Sequence, residues 1–156
     1  MTRWAGRMEP TAFQLEHRGP RQFDVWRHPA AVPSAIGDVG LEVIVDLDAR
    51  PDAEMCDALR ELARFAAERG SELRAAIHAH YSAFCRKDPA WVLECGVPLA
   101  LTDLQVVDYV RFASACVSRR RDDLAIKCYF HIRPQWDEEH DIFLGLTDNG
   151  LAPLDE

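Results

Sequence analysis

One loop near the C-terminus concentrates more chemically capable side chains than any other stretch: Trp136, Asp137, Glu138, Glu139, His140 and Asp141. The loop lies between two short apolar runs, where the pattern predicts the turn of a β-hairpin. Its carboxylates and imidazole suit Zn²⁺, Mn²⁺ or iron, and a glutamate with the histidine could act as a general acid–base pair. The same groups also suit contact with a basic protein or plain solvation. We therefore take residues 136–141 as the candidate binding site.

The strands on either side of this loop are expected to place its histidines on different faces. Aligning the apolar residues of the two strands puts Phe130 opposite Ile142. In that register His131 lies beside Asp141 on the outer face, whereas His140 falls at the end of the core face. A single metal ion held by both histidines is therefore disfavoured. We predict an ion pair between His131 and Asp141, and neither a metal nor a cofactor.

Catalytic motifs do not accompany the loop. The sequence contains no HExxH helix, no DxDxDG calcium loop, no nucleophile elbow and no glycine-rich phosphate loop. His78 and His80 are two residues apart on a predicted helix and so point in different directions. Trp136 is expected to close the end of the core, with an interface anchor as the alternative. These patterns favour a non-enzymatic protein.

The elements that must position the loop are those of an α+β domain. We predict an antiparallel sheet of four to five strands with two amphipathic helices packed on one face. The predicted strands cover 41–47, 109–119, 125–132 and 141–147, with 22–27 at an edge, and the predicted helices cover 52–68 and 71–86.

Local signals set the expected helix boundaries. Asp52 after Pro51 predicts the start of the first helix, and Gly70 followed by Ser71 predicts a stop and a new N-cap. Thr102 and Gln105 fit a capping box, so residues 103–107 are expected to form a helical turn before the strand that follows. The helical spacing of Val106, Val110, Ala113 and Val117 leaves a helix over 103–119 as the alternative.

Composition and charge limit the function further. The chain has 156 residues and a net charge of −8, and the stretch from Pro134 onward has seven acids and no Lys or Arg. Such acidity disfavours nucleic acid and favours a basic partner. No apolar run is long enough for a membrane span, and five cysteines without a C-x-x-C pair indicate a reducing cytoplasm. We predict a mobile N-terminal arm over 1–20 and a single domain over 21–156.

A family resemblance rests on a strand with Tyr129 and Phe130, followed by W-D-E-E-H, and on two upstream helices. The matching helix residues are Leu62, Leu73, Ile77 and Tyr81. This combination resembles a family of small uncharacterised bacterial domains with a W-D-E-E-H-G hallmark, whose members are similar to immunity proteins found beside polymorphic toxins. The resemblance spans about residues 41 to 151 and departs from the family at Asp141, where glycine is usual.

The resemblance implies a cytoplasmic, non-catalytic protein-binding domain that neutralises a basic bacterial toxin by occluding it. The alternative is a divalent-metal-binding domain or metal-dependent enzyme centred on the loop from Asp137 to His140. A third interpretation is that the motif only stabilises the hairpin.

Overall fold

The computed structural model describes residues 8–17, 23–120 and 125–154. Its strands within these residues are β1 (Gln14–His17), β2 (Phe23–Arg27), β3 (Val32–Ser34), β4 (Gly37–Asp46), β5 (Val110–Arg119), β6 (Lys127–Pro134), β7 (Ile142–Thr147) and β8 (Gly150–Pro153). Its helices there are α1 (Ala53–Glu68), α2 (Gly70–Lys87), α3 (Pro89–Glu94) and α4 (Asp103–Val106), with 3-10 turns at Pro10–Ala12 and Val107–Tyr109. None of the helices in the described part is long and apolar enough to cross a membrane.

The strands form one mixed sheet in the order β1-β2-β4-β5-β6-β7-β8, with β3 pairing with β4 as well. β4 and β5 are parallel, and the connection between them contains all four described helices. The predicted α+β class is confirmed. The predicted strand and helix numbers were too low, and the sheet is mixed rather than antiparallel. The missed elements β1, β3, β8 and α3 are too short to produce a clear period.

Alternation along the strands gives the sheet two different faces. One face carries buried apolar residues such as Leu41, Ala115 and Phe130, and α1 packs on it, with Phe65 lying 5.9 Å from Phe130 between ring centroids. α3 and α4 pack against α2. The opposite face carries Arg27, Glu42, Phe112, Ser114, Cys116, His131, Arg133 and Phe143. We call it the helix-free face, since α1 of the described residues packs on the other side.

The expected register of the last hairpin was wrong by two residues. Phe130 lies opposite Leu144 rather than Ile142, and His131 lies opposite Phe143. The side chains within the two strands nevertheless keep their predicted faces, because a shift of two residues preserves the alternation of a strand. His140 is not part of β7 and does not lie on the core face, since the loop before β7 is longer than a tight hairpin turn.

The helix boundaries follow the predicted caps with one exception. Asp52 accepts a hydrogen bond from the Met55 N–H at 2.9 Å, and Thr102 forms the expected capping box. The predicted break at Gly70 lies one residue earlier, and Gly70 opens α2. A Cβ atom on Gly70 would lie 2.9 Å from the backbone nitrogen of Ala35, so glycine is needed there for close packing.

The predicted N-terminal arm includes residues that belong to the sheet. Residues 8–17 contain a 3-10 turn and β1, which pairs with β2, and Met8 and Phe13 are buried in the core. Burial of these two apolar side chains holds this segment against the domain. The rest of the predicted arm, residues 1–7 and 18–20, lies outside the described residues.

Candidate functional site

Trp136 faces the core rather than solvent. It has no exposed surface, its indole Nε1–H donates to Nδ1 of His80 at 3.1 Å, and its ring meets the edge of Tyr81 at 5.3 Å between centroids. Its carbonyl accepts a hydrogen bond from Nε1 of Trp91 at 2.9 Å. The predicted lid on the core is therefore confirmed. Because the ring is enclosed, it offers no surface to a partner.

Asp137 orders the backbone of the loop. Its side chain is buried, and Oδ1 accepts the N–H groups of Glu139 at 3.2 Å and His140 at 3.1 Å. An aspartate that accepts backbone donors two and three residues ahead stabilises a turn. Nδ1 of His140 also lies 3.4 Å from the same oxygen. Asp137 therefore acts mainly on the conformation of the loop.

Glu138, Glu139 and His140 are the side chains that the loop presents outward. All three are exposed, and the His140 side chain is 67 % exposed. Glu138 lies 3.5 Å from the guanidinium of Arg111, and both partners are more than half exposed. Solvent screens such a pair, so it contributes little to stability. These side chains are free to meet a partner.

Asp141 joins the loop to the helix-free face. Its Oδ2 accepts a hydrogen bond from Nε2 of His131 at 2.6 Å, and its Oδ1 lies 3.4 Å from Nε of Arg133. Partial burial raises the pKa of Asp141, but the hydrogen bonds from His131 and Arg133 outweigh it and hold the pKa below its usual value. The predicted pairing of His131 with Asp141 is confirmed, although it does not arise from the predicted register.

The helix-free face contains a row of polar groups that the sequence pattern did not predict. Nη2 of Arg27 donates to Glu42 at 2.5 Å, and the Cys116 thiol lies 3.7 Å from the other Glu42 oxygen. Ser114 Oγ lies 3.2 Å from that thiol, and Ser114 is the cross-strand neighbour of His131. The row thus runs across β2, β4, β5 and β6. Its signal in the sequence was the alternation of Ser114, Cys116 and Ser118 with apolar residues.

Aromatic rings and guanidinium groups lie together at one end of this row. The imidazole of His131 stacks on Phe143 at 4.8 Å and meets the edge of Phe112 at 5.6 Å. The guanidinium groups of Arg27 and Arg133 lie 5.6 Å and 6.0 Å from the centroid of the Phe112 ring. Each of these contacts fixes a side chain that would otherwise be free to rotate.

The chemistry of the row favours contact with a partner over nucleophilic attack on a substrate. Burial, together with the nearby Glu42 carboxylate, raises the pKa of the Cys116 thiol far above its usual range, so the thiol stays protonated. Ser114 has no exposed surface and cannot meet a substrate in this conformation. Among the described residues, no group of three or more His, Cys, Asp or Glu side chains is arranged to hold a metal ion.

The burial of His80 beside Trp136 is expected to make stability depend on pH. Burial lowers the pKa of His80, and the Asp137 carboxylate only partly opposes this effect. The unfolded chain therefore takes up the proton first, near pH 6.5. We expect the contribution of His80 to be complete above that pH and to be lost as the pH falls towards the lower pKa of the folded state.

The matched variant is His80→Asn, which keeps an acceptor for the Trp136 N–H but does not titrate. Urea unfolding between pH 7 and pH 5 should show a smaller loss of stability in the variant than in the wild type. Equal pH dependence in the two proteins would contradict this role of His80.

Comparisons with protein-family models, curated proteins and solved structures find no match for this chain. Its function is therefore inferred from the geometry of the acidic loop, residues 136–141, and of the helix-free face beside it.

Proposed function

We propose that the protein is a non-catalytic binding domain of the immunity type, which acts in the cytoplasm and neutralises a basic toxin by occluding it. The observation that carries this proposal is the position of Phe112 beside two guanidinium groups on the helix-free face. Aromatic and arginine side chains are the groups most enriched at the centres of protein interfaces.

The order of this surface favours binding. Arg27 is held by Glu16 at 2.8 Å and by Glu42, whereas Arg133 is more than half exposed and lies 3.4 Å from Asp141, which holds it less firmly. Side chains that are already fixed lose less conformational entropy when a partner binds. Ion pairs also leave each guanidinium with stacking area and unused donors that can meet a partner.

The acidic loop supplies the charge that would attract a basic partner. Glu138 and Glu139 are exposed, and Asp141 and Arg111 connect their loop to the strands of the helix-free face. Carboxylates at the rim of an interface mainly raise the association rate, because they act on the partner before contact. Asp141 is already paired, so we assign the steering role to the two glutamates.

The test uses the purified protein encoded by the adjacent gene as the probe. The double variant Glu138→Gln/Glu139→Gln should slow association by about 3- to 10-fold at low salt and reduce its salt dependence, with a smaller change in dissociation. Stopped-flow fluorescence at two salt concentrations measures both rates.

The matched control is Glu61→Gln/Glu68→Gln, which removes the same charge from exposed positions on α1. An equal decrease of the association rate in the two double variants would show only an effect of net charge and would contradict steering by the loop.

A further inference from the structure

His80 of α2 lies where that helix meets the acidic loop, and only its neutral form fits there. Its Nδ1 accepts the indole N–H of Trp136 at 3.1 Å, so the proton of the neutral ring is on Nε2. The ring is half-buried and stacks on Phe84 with 5.1 Å between centroids. A second proton, on Nδ1, would make this nitrogen a donor that faces another donor. Protonation of His80 therefore breaks its bond to Trp136.

The groups packed around this pair direct the new charge towards the loop. Tyr81 of α2 and Cys95 after α3 also meet Trp136. Burial raises the pKa of both groups, so neither becomes an anion that could pair with an imidazolium. Burial lowers the pKa of His80, and among the described residues Asp137 is the charged group that opposes this effect. A protonated His80 is therefore attracted by the Asp137 carboxylate.

Asp137 is also the residue that fixes the turn of the loop. It directly follows Trp136, and its Oδ1 accepts the backbone N–H groups of Glu139 at 3.2 Å and His140 at 3.1 Å. An imidazolium attracted by this carboxylate competes with these two donors. A proton on His80 thus acts on the loop in two ways, through the lost bond to Trp136 and through the carboxylate of Asp137.

We propose that His80 is a proton-sensitive switch of the acidic loop, whose neutral form holds the loop in its turn and whose protonated form releases Trp136 and loosens the turn at Asp137. The transition lies below pH 6.5, the usual pKa of histidine, because burial opposes the charged form. A consequence for the presentation of Glu138 and Glu139 to a basic partner rests on the proposed function, whereas the switch itself needs no partner.

Two other histidines contact carboxylates of the loop. Nδ1 of His140 lies 3.4 Å from Oδ1 of Asp137, and Nε2 of His131 lies 2.6 Å from Asp141. Protonation of His140 would strengthen its attraction to Asp137 without touching the contact between α2 and the loop. In the described part of the chain, the indole N–H of Trp136 is bonded to neither of these rings, so it reports on the histidine of α2.

The test follows the free 156-residue chain by NMR from pH 7 to pH 5, in the variant His140→Asn, which removes the titrating histidine of the loop itself. The probes are the indole N–H of Trp136 and the backbone N–H of Glu139. Both resonances should move with the midpoint of the His80 imidazole resonances, below pH 6.5. Addition of His80→Asn should abolish this movement, because the asparagine carbonyl accepts the indole N–H and does not titrate.

The matched control is His78→Asn in the same background. His78 lies two residues away on α2 and contacts the carbonyl of Leu101 at 2.9 Å, so its removal should leave both movements in place. If the His80 variant does not fold, agreement between the midpoints of the His80 imidazole and of the two N–H resonances supports the proposal, and separate midpoints overturn it.

Two further results would overturn the switch. One is an indole resonance of Trp136 that stays fixed in the background protein, and the other is an indole resonance that still moves when His80→Asn is present. Movement of the indole resonance while the Glu139 resonance stays fixed would overturn the coupling to the loop. Each of these results is obtained without a partner, so none of them affects the proposed binding function.

Discussion

Replacing Trp136 with alanine is expected to lower the free energy of unfolding by about 3–5 kcal/mol. The indole has no exposed surface and lies against Tyr81, so its removal leaves a cavity where α2 meets the acidic loop. The substitution also removes the N–H that donates to His80, whose ring nitrogen would then lack that donor. Urea unfolding followed by circular dichroism measures the change.

The control for this prediction is Glu138→Gln, two residues further along the same loop. That side chain is exposed, so its substitution should change stability by less than about 0.5 kcal/mol. A loss of less than about 1 kcal/mol for Trp136→Ala would contradict burial of the indole in solution. It would also make the ring available as an interface anchor.

Regular elements with a strong period could be predicted from the sequence. α1 and α2 carry apolar residues every three to four positions, and β4, β6 and β7 alternate, so each was found to within a few residues. β5 does not alternate, and its β-forming residues favoured a strand over the alternative of a helix. Asp52 and Thr102 cap their helices through bonds to residues three positions ahead. Local signals of this kind correctly predicted where α1 and α4 begin. The features that could be predicted are the helices, strands and caps that a short window of sequence determines.

The order of the strands could not be predicted in this way. The parallel pairing of β4 with β5 joins segments more than 60 residues apart, such as Leu41 and Ala115. Nothing in the alternation of a strand states which neighbour it has or in which direction that neighbour runs. β3 and β8 have three and four residues, too few for a period to be recognised.

In the acidic loop, too, local sequence predicted the segment, whereas contacts with distant residues determined where each side chain lies. The residue types identified the segment, but they did not show which of its side chains are buried and which are exposed. Trp136 turns inward because His80 and Trp91, which are 56 and 45 residues away in sequence, supply its polar partners. Asp137 turns inward because its carboxylate accepts hydrogen bonds from two backbone N–H groups of the loop, whereas Glu138 and Glu139 are exposed to solvent. Tertiary contacts decided which side chains stayed available to a partner.

The helix-free face was missed for a related reason. Its polar residues come one or two from each of four strands, Arg27 and Glu42 among them, and only the assembled sheet brings them into one row. In sequence each is an ordinary outward-facing position of a strand.

The largest effect on binding is expected from Phe112, which lies near the guanidinium groups of both Arg27 and Arg133. Phe112→Ala removes the ring that lies beside both guanidinium groups. Aromatic side chains at the centre of an interface contribute about 2 kcal/mol or more, so affinity should fall by about 30-fold or more. Phe112→Leu keeps apolar bulk without the flat ring and should give an intermediate loss.

The most direct test of the proposed function is the dissociation rate of the complex with the purified product of the adjacent gene, measured by surface plasmon resonance. Phe112→Ala is compared with Leu47→Ala, an exposed apolar residue outside the helix-free face. We expect dissociation at least about tenfold faster for Phe112→Ala and unchanged for Leu47→Ala, because loss of a central contact acts on the off-rate. Unchanged dissociation in Phe112→Ala, or no complex with the wild-type protein, would contradict binding through the helix-free face.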